Sequence, residues 1–468
     1  MNKIIAFIFL YLGTILEIQC QDITGHWMGL LKVQGIALHI GLNITKNENG
    51  YVSTMDSPDQ GATGIPISKT SFEDHHLLFS IPGASIEYTG SLSTDSIKGI
   101  FKQAGREMPL NFGKVEKAIE KVKRPQDPAE PFPYYTEDVQ FENKDAGISL
   151  AGTLSMPAKE GKFPAVILIS GSGPQNRNEE LLNHRPFLVI ADYLTRNGIA
   201  VLRYDDRGVA KSTGVFKAAT SMDFASDAES AMKYLMTRHE INHNQIGLMG
   251  HSEGGLIAPI LAARNKEVAF IVMLAGPGTK GSILLLKQIE LIDRVNQMSE
   301  KEIMNEKKLN AKSFDIINKA KNDEEIKEKL TALFKQELKN NPLSKPKDQS
   351  EADYVKEKLN ETMRLFPWMK FFLKYDPADN LVNVTCPVLA VNGEKDLQVP
   401  AIDNLTAIKK LVSKNGNRDV TTTLYPGLNH LFQETKTGNP AEYATIDQTF
   451  SPTVLKDVTD WIVKRMLK

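Results

Sequence analysis

Hydrophobic and polar residues alternate from 38 to 44, where Leu38, Ile40, Leu42 and Ile44 are separated by His39, Gly41 and Asn43. A period of two belongs to a strand with one buried face. Shorter alternations follow at Leu77-Phe79-Ile81 and Ile86-Tyr88, and Ile97 and Phe101 share a strand face with Gly99 between them. Glycines and Ser/Asp/Asn clusters separate these runs as turn signals, and no long helical periodicity interrupts residues 22–115. The pattern predicts a small all-β domain over 22–115, an antiparallel barrel or sandwich of roughly six to eight strands. Trp27, at the start of the first strand, is expected to plug its core rather than to form a ligand platform.

Residues 116–134 are charged and then proline-rich, with Pro128, Pro131 and Pro133. Prolines stiffen a chain and end regular structure, so a linker or strap over 116–144 is expected to precede a second domain, 145–468. There, short apolar runs at 148–154, Phe163–Ile169, 199–202, 246–249, 268–274 and 388–391 alternate with helical stripes. Pro186–Arg196 carries Phe187, Ile190, Ala191 and Leu194 and stops before Gly198. Residues 222–240 carry Phe224, Ala228, Ala231 and Leu235 on one stripe, with Thr220 or Ser221 able to cap it. The apolar runs are too short for helices, so the fold class is α/β: a mostly parallel sheet covered on both faces. The alternation breaks at about 280–375. Residues 284–298, then Ile303, Phe314, Ile317, Ile326, Leu333 and Phe334, keep the spacing of amphipathic helices. A dense aromatic patch follows at Phe366-Pro367-Trp368-Met369 and Phe371-Phe372. This insertion is expected to fold over the C-terminal edge of the sheet as a helical lid. Its aromatics either line a substrate pocket, with Trp368 as the candidate contact, or anchor the lid.

Composition adds boundaries to this picture. A chain of 468 residues, 41% hydrophobic and 24% charged, suits two packed domains. With 56 basic against 57 acidic residues, no global charge favours nucleic acid or an anionic membrane. Residues 1–21 stand apart: Asn2-Lys3 opens an apolar run from Ile4 to Leu16, and polar Gln19-Cys20-Gln21-Asp22 follows. That is the pattern of a signal peptide, too short for a comfortable membrane span. The mature protein is expected to be exported, periplasmic or secreted, without integral membrane association. An uncleaved anchor and a lipoprotein attached at Cys20 are the alternatives, although Gln19 departs from the small residue usual before a lipidated cysteine. Cleavage after Cys20 leaves only Cys386, hence no internal disulfide and no cysteine-based metal site. Cys386 is expected to be a buried small hydrophobe.

The candidate chemistry starts at Gly250-His251-Ser252-Glu253-Gly254, between an apolar run and a small-residue helix. A G-x-S-x-G sequence in that position is a nucleophile elbow, whose tight turn leaves no room for side chains at Gly250 and Gly254 and exposes the Ser252 hydroxyl. The pentapeptide recurs by chance in many proteins and decides nothing alone. A serine hydroxyl needs a base, and the base needs an orienting carboxylate. After the run at 388–391 comes Asn392-Gly393-Glu394-Lys395-Asp396, and after residues 421–424 comes Tyr425-Pro426-Gly427-Leu428-Asn429-His430. Each group lies just past a strand end, the edge where open α/β sheets bind ligands. The order Ser252, Asp396, His430 is the chain order of the α/β-hydrolase triad.

On these motifs, residues 145–468 resemble an α/β-hydrolase, and more narrowly the exported bacterial esterases and prolyl-oligopeptidase-like serine hydrolases. Residues 22–115 lie outside that resemblance; their opening, 23–29, is similar over a few residues to the start of a lipocalin-type barrel. The resemblance implies Ser252 as nucleophile, His430 as general base and then acid, and Asp396 as the orienting group, with Glu394 as its competitor. The oxyanion donors would be the Glu253 N–H and one from Ser170-Gly171-Ser172-Gly173-Pro174-Gln175-Asn176-Arg177. Many relatives begin that loop with His-Gly where this chain has Ser-Gly; by register the donor is Ser172, with Gly173 as the alternative. The loop lacks the Gly-Lys-Ser/Thr ending of a phosphate-binding loop. Arg203-Tyr204-Asp205-Asp206-Arg207-Gly208 is similar to the Asp-x-Arg-Gly segment of peptidase-like hydrolases. Asp206 and Arg207 are expected to pair and brace the site, with Arg177 or Arg207 alternatively holding a substrate carboxylate. Glu253 is expected to bind a substrate amine or to salt-bridge one of these arginines. The implied activity is hydrolysis of a small-molecule carboxylic ester of small to medium acyl chain through an acyl-enzyme, with no metal or cofactor. Peptide amides and thioesters are rival substrates. An exported lipid- or glycan-binding protein is the reading from another class, motivated by the unexplained β domain.

Overall fold

The computed structural model describes residues 22–33, 36–48, 50–58, 62–84, 86–103, 106–116, 124–341, 350–363 and 366–466. The proposed signal segment 1–21, including Cys20, lies outside the described residues. The described residues fall into two compact units, the first made mainly of residues 22–32, 38–57 and 62–116 and the second mainly of residues 124–466.

The first unit is a nine-stranded sheet of β1 (Gly25–Val33), β2 (Ile36–Asn47), β3 (Gly50–Ser57), β4 (Ala62–Pro66), β5 (Lys69–Glu73), β6 (His76–Ile81), β7 (Ile86–Ser93), β8 (Ser96–Gln103) and β9 (Arg106–Val115). Its spatial order is β4-β3-β2-β1-β9-β8-β7-β6-β5. The sheet curls until β3 and β5 approach, where the Ser53 and Thr70 hydroxyls meet. It is thus a curled, mostly antiparallel half-barrel with more strands than expected. Among the strands without a readable pattern are β4 and β5, whose short sequences ATGIP and KTSFE carry no sustained hydrophobic alternation. Trp27 is 1% exposed, and its indole N–H donates to the Ile23 carbonyl at 2.8 Å, the arrangement of a core residue.

The second unit is built on an eight-stranded sheet of β10 (Tyr135–Asn143), β11 (Ile148–Met156), β12 (Phe163–Ile169), β13 (Ala200–Tyr204), β14 (Ile241–His251), β15 (Ile271–Leu274), β16 (Val388–Gly393) and β17 (Val420–Tyr425), in the order β10-β11-β13-β12-β14-β15-β16-β17. β10 pairs antiparallel with β11, and β11 with β13. From β13 onward every neighbouring pair is parallel. β10 corrects the expectation of a linker through residue 144. It is an edge strand whose buried Val139 and Phe141 alternate with Asp138, Gln140 and Glu142, so its one apolar face was hidden in a charged stretch. The preceding residues also serve this unit: the Arg124 guanidinium donates to the carbonyls of Leu182 and Ile446 at 2.7 and 2.8 Å.

Helices α1 (Pro186–Arg196), α2 (Ser221–Leu235), α3 (Gly254–Arg264), α10 (Ala401–Ser413) and α11 (Pro452–Met466) cover the sheet, after the insertion helices α4 (Gly281–Val295), α5 (Glu300–Lys319), α6 (Asp323–Asn340), α7 (Glu351–Met363), α8 (Trp368–Lys374) and the short α9 (Ala378–Leu381). Alternate residues of β12 serve opposite faces. Ala165, Ile167 and Ile169 join a core with Ala228, Leu261 and Ile408, while Val166 and Leu168 join one with Phe187, Leu194 and Val458. Two buried faces explain why the central strands read as unbroken apolar runs. α2 ends at Leu235, short of the expected 240, because Ile241 already pairs with Phe163 as β14 begins. The insertion has its own core of Phe314, Ile317, Ile326, Leu330, Phe334 and Leu373, residues that fall at helical spacing. This is the α/β-hydrolase fold anticipated from the alternation of runs and stripes. Among the described residues no helix is long and apolar enough to cross a membrane.

The order places a topological switch at β12. The chain leaves it for β13 on one side and returns to β14 on the other. The loops after β12 and β14 therefore diverge and open a crevice at the carboxyl edge. Register keeps that edge level, with Ile169 opposite Gly250, Gly250 opposite Met273, and Met273 opposite Ala390.

Candidate active site

Ser252 follows β14 directly and precedes α3, with φ +51°, a left-handed conformation that costs a non-glycine residue energy. The turn closes this tightly only because its flanks lack side chains. A Cβ on Gly250 would stand 1.9 Å from the Gly254 carbonyl oxygen, and one on Gly254 would stand 2.0 Å from that of Ile169. The Ser252 N–H is fixed by the Leu274 carbonyl at 2.8 Å, which anchors the turn to β15.

Asp396 and His430 arrive from the two strand-end turns named above. Gly393 lets these turns touch, since a Cβ there would lie 2.3 Å from the Leu428 carbonyl, and the Lys395 N–H donates to that carbonyl at 2.9 Å. Asp396 Oδ1 accepts the backbone N–H groups of Gln398 and Val399, both at 2.8 Å, and Oδ2 lies 2.7 Å from His430 Nδ1. Both groups are buried, so their pairing is shielded from water. The His430 turn is organised by Asn429, whose Oδ1 accepts the N–H groups of Leu431 and Gln433 at 2.9 Å each. Glu394 instead accepts the Gly427 N–H at 3.0 Å from an exposed position.

The loop after β12 lies against the elbow, since a Cβ on Gly171 would be 3.3 Å from Ser252 Cβ. Ser170 Oγ donates to Asp206 Oδ1 at 2.7 Å, and the Gln175 N–H donates to Asp206 Oδ2 at 2.9 Å. Ser172 is exposed on this loop, and Gly173 follows with φ +99°. Burial, reinforced by the nearby Glu253 and Glu179 charges, pushes Asp206 well above the usual carboxylate range despite those two donors.

The arginines differ from expectation. Arg207 does not pair with Asp206; its Nε and Nη2 donate to Asp227 at 2.7 and 2.8 Å, and Nη1 reaches Asp223, both on α2. Adjacent residues at a strand end point in different directions, and Arg207 turns toward the helix. Arg177 is likewise committed: it grips Asp205 at 3.1 and 2.8 Å and donates to Asp138, the Gly152 carbonyl and Thr153. Both guanidiniums brace the scaffold, which leaves little of either to hold a substrate carboxylate.

Glu253 forms no ion pair with these arginines. It is 3% exposed; Oε1 accepts from Ser221 Oγ at 2.5 Å and from the Trp368 indole N–H at 2.7 Å. Trp368 stacks on Phe372 with ring centroids 5.0 Å apart, so the insertion is joined to the residue after Ser252. Burial pushes the Glu253 carboxyl up to about 7 against the two hydrogen bonds that favour its charge. The folded-state value lies above the ordinary 4.5, so the stability of the neutral form is full below that pH and lost as pH rises through about 7. Glu253→Gln, which keeps both partners within reach, should raise unfolding stability at pH 8 by up to about 3 kcal/mol and at pH 5 by under about 1 kcal/mol. Urea denaturation at the two pH values measures this; equal gains at both would show that charge burial is not the cause.

The sequence motifs assign no site role to Glu179, Asn429 or Ser221, whose partners lie distant in sequence or in an irregular turn. Cys386 is partly buried, and burial pushes its thiol up to about 11, which leaves it protonated and unreactive. Among the described residues no group of three or more His, Cys, Asp or Glu side chains is placed to hold a metal ion.

A family model described as serine aminopeptidase, S33, matches residues 185–436. Esterase EstD of Thermotoga maritima is 27% identical over 334 residues, which cover 71% of this chain and 70% of that protein. Among solved structures, Est1E from Butyrivibrio proteoclasticus with bound ferulic acid shares 18% identity over 70% of this chain and 100% of its own, with a TM-score of 0.41. The Pyrococcus furiosus esterase Pf2001 shares 15% identity over 75% of this chain and 97% of its own, with a TM-score of 0.44.

Proposed function

This chain belongs to the serine aminopeptidase S33 family of α/β-hydrolases, and from that membership we propose that it hydrolyses carboxylic esters of small to medium acyl chain through a Ser252–His430–Asp396 triad. The observation that carries the reading is the buried 2.7 Å contact of His430 Nδ1 with Asp396 Oδ2, at the sheet edge that also presents Ser252 in a strained elbow. Asp396 holds the proton of His430 on Nδ1, which leaves Nε2 unprotonated as a base. Nε2 takes the Ser252 hydroxyl proton as Oγ bonds to the ester carbonyl carbon, and the carbonyl oxygen becomes an oxyanion. The N–H of Glu253, at the start of α3, and that of Ser172 stabilise this oxyanion, with Gly173 as the alternative to Ser172. His430 returns the proton to the departing alkoxide, and the alcohol leaves. Water, deprotonated by His430, then attacks the acyl-serine, and the acid is released as Oγ regains its proton.

An aminopeptidase would need a carboxylate free to receive the substrate ammonium. The carboxylate beside Ser252 is Glu253, which is already occupied by Ser221 and Trp368 and is held partly neutral by burial. That arrangement favours ester over aminoacyl-amide substrates. Matched p-nitrophenyl ester, thioester and aminoacyl-anilide substrates test the preference. We expect kcat/KM for the short-chain ester to exceed that for the anilide by at least about 10²-fold, the size of effect a missing charge partner produces. Faster anilide cleavage in the unaltered protein, lost together with fluorophosphonate labelling when Ser252 is blocked, would reverse the assignment to a peptidase.

A further inference from the structure

Beside these groups lies a buried contact that the reaction above does not use. Glu179 Oε1 accepts the Gly171 backbone N–H at 2.6 Å and stands 2.9 Å from His251 Nδ1, while His251 Nε2 stands 3.0 Å from the His430 carbonyl oxygen. A carbonyl oxygen only accepts, so Nε2 donates to it. A carboxylate oxygen that already receives one N–H accepts from Nδ1 in the same way. Both ring nitrogens therefore carry protons, and His251 is an imidazolium paired with the Glu179 carboxylate. Burial opposes that charge, but the Glu179 charge and hydrogen bond, the His430 carbonyl and the more distant Asp396 outweigh it and hold His251 above the ordinary histidine range.

The pair is enclosed. Glu179 is 5% exposed and His251 7%, and a small cavity wall of Phe187, Ile190, Leu274, Leu431 and Phe450 adjoins them. In such surroundings, removing one partner strands the other as an uncompensated buried charge. Glu179 itself is held at φ +51°, a conformation a non-glycine residue keeps only where its surroundings enforce it. Through one carboxylate oxygen and one ring, three segments are joined: the loop at Gly171, the residue preceding Ser252, and the backbone of His430. The His251 and His430 rings lie 4.8 Å apart.

We propose that Glu179 and His251 are a positioning pair that sets the Gly171-Ser172 peptide and the His430 backbone relative to Ser252, without touching the reacting atoms. The proposal rests on the assignment of Ser252 and His430 made above. Glu179→Gln keeps an amide oxygen for the Gly171 N–H but cannot sustain an imidazolium. A neutral His251 then has no proton to give the His430 carbonyl if it keeps one on Nδ1. Glu179→Gln and His251→Asn should each lower kcat for the short-chain ester by about 10²-fold, with KM within about twofold, as a displacement of catalytic groups by about 1 Å does. The double variant should lose no more than the worse single, since the two act as one unit. A folded Glu179→Gln protein with kcat within about threefold of the unaltered enzyme, or losses that multiply in the double variant, would overturn the pair. Should the variants unfold, the unaltered protein decides: in a pH series of ring 15N shifts, one histidine should keep both nitrogens protonated to higher pH than the other rings, and a series in which no ring outlasts the others refutes the pair. If instead the unaltered protein cleaves no ester and takes no fluorophosphonate at Ser252, the functional assignment fails, and the 15N spectrum still tests the contact.

Discussion

Ser252→Ala is expected to reduce kcat for the short-chain ester by about 10⁵-fold or more and to abolish labelling by a fluorophosphonate. The loss should appear in kcat and not in folding. Alanine and serine both carry a Cβ, so the strain at φ +51° is already present with serine, and the Ser252 N–H bond to Leu274 does not depend on the side chain. The contacts around the serine also persist: Asp396 with His430, Glu179 with His251, and Glu253 with Trp368. Substrate binding should therefore survive, with KM changed by no more than a few-fold. The measurement pairs steady-state kinetics with intact-protein mass after probe treatment. Retention of more than about 1% of activity would assign the nucleophile elsewhere, because a water attack assisted by the oxyanion donors alone falls well below that level.

How much of this could be read from residues alone differs from place to place, for physical reasons. The elbow was legible because its constraint is local: two glycines sit where a Cβ would strike backbone at 1.9 and 2.0 Å. The approach of Asp396 to His430 was legible because each follows a strand, one an apolar run and the other threonine-rich, and parallel strands end at one edge. Strand β10 was obscured because an edge strand with one buried face mixes Val139 and Phe141 into charged sequence. Asp206 and Arg207 do not pair because adjacency along the chain is not adjacency of charges. The better signal was Asp223 and Asp227, four apart on α2 and so on one helix face, which receive Arg207. Glu253 carries a carboxylate beside the nucleophile, but its partner Trp368 lies 115 residues away, and no periodicity links the two. Glu179 had no local signature at all. Its meaning comes from a contact with His251, 72 residues on, and from a loop backbone that only the fold brings near.

Asp396→Asn should lower kcat by about 10⁴-fold while the protein stays folded. The two oxygens of Asp396 have different duties. Oδ1 is held by the N–H groups of Gln398 and Val399, and Oδ2 faces His430 Nδ1. An asparagine must keep its single oxygen toward the two backbone donors, since turning its NH₂ there would oppose donors to donors in a buried place. The NH₂ then faces Nδ1, which can receive its hydrogen only by giving up its own proton. The imidazole moves to the tautomer protonated on Nε2, and a protonated Nε2 cannot take the proton of Ser252. The defect is thus one of base and not of binding, so KM should change little, and the burst of acyl-enzyme seen with an activated ester should slow in proportion to kcat. Glu394→Gln is the control for the other carboxylate of this turn. It keeps an acceptor for the Gly427 N–H on the exposed side, so its activity should stay within about twofold, as surface changes away from buried networks do. The reverse outcome, a damaged Glu394→Gln beside a nearly intact Asp396→Asn, would move the orienting role to Glu394 and would require the His430 turn to rearrange in solution.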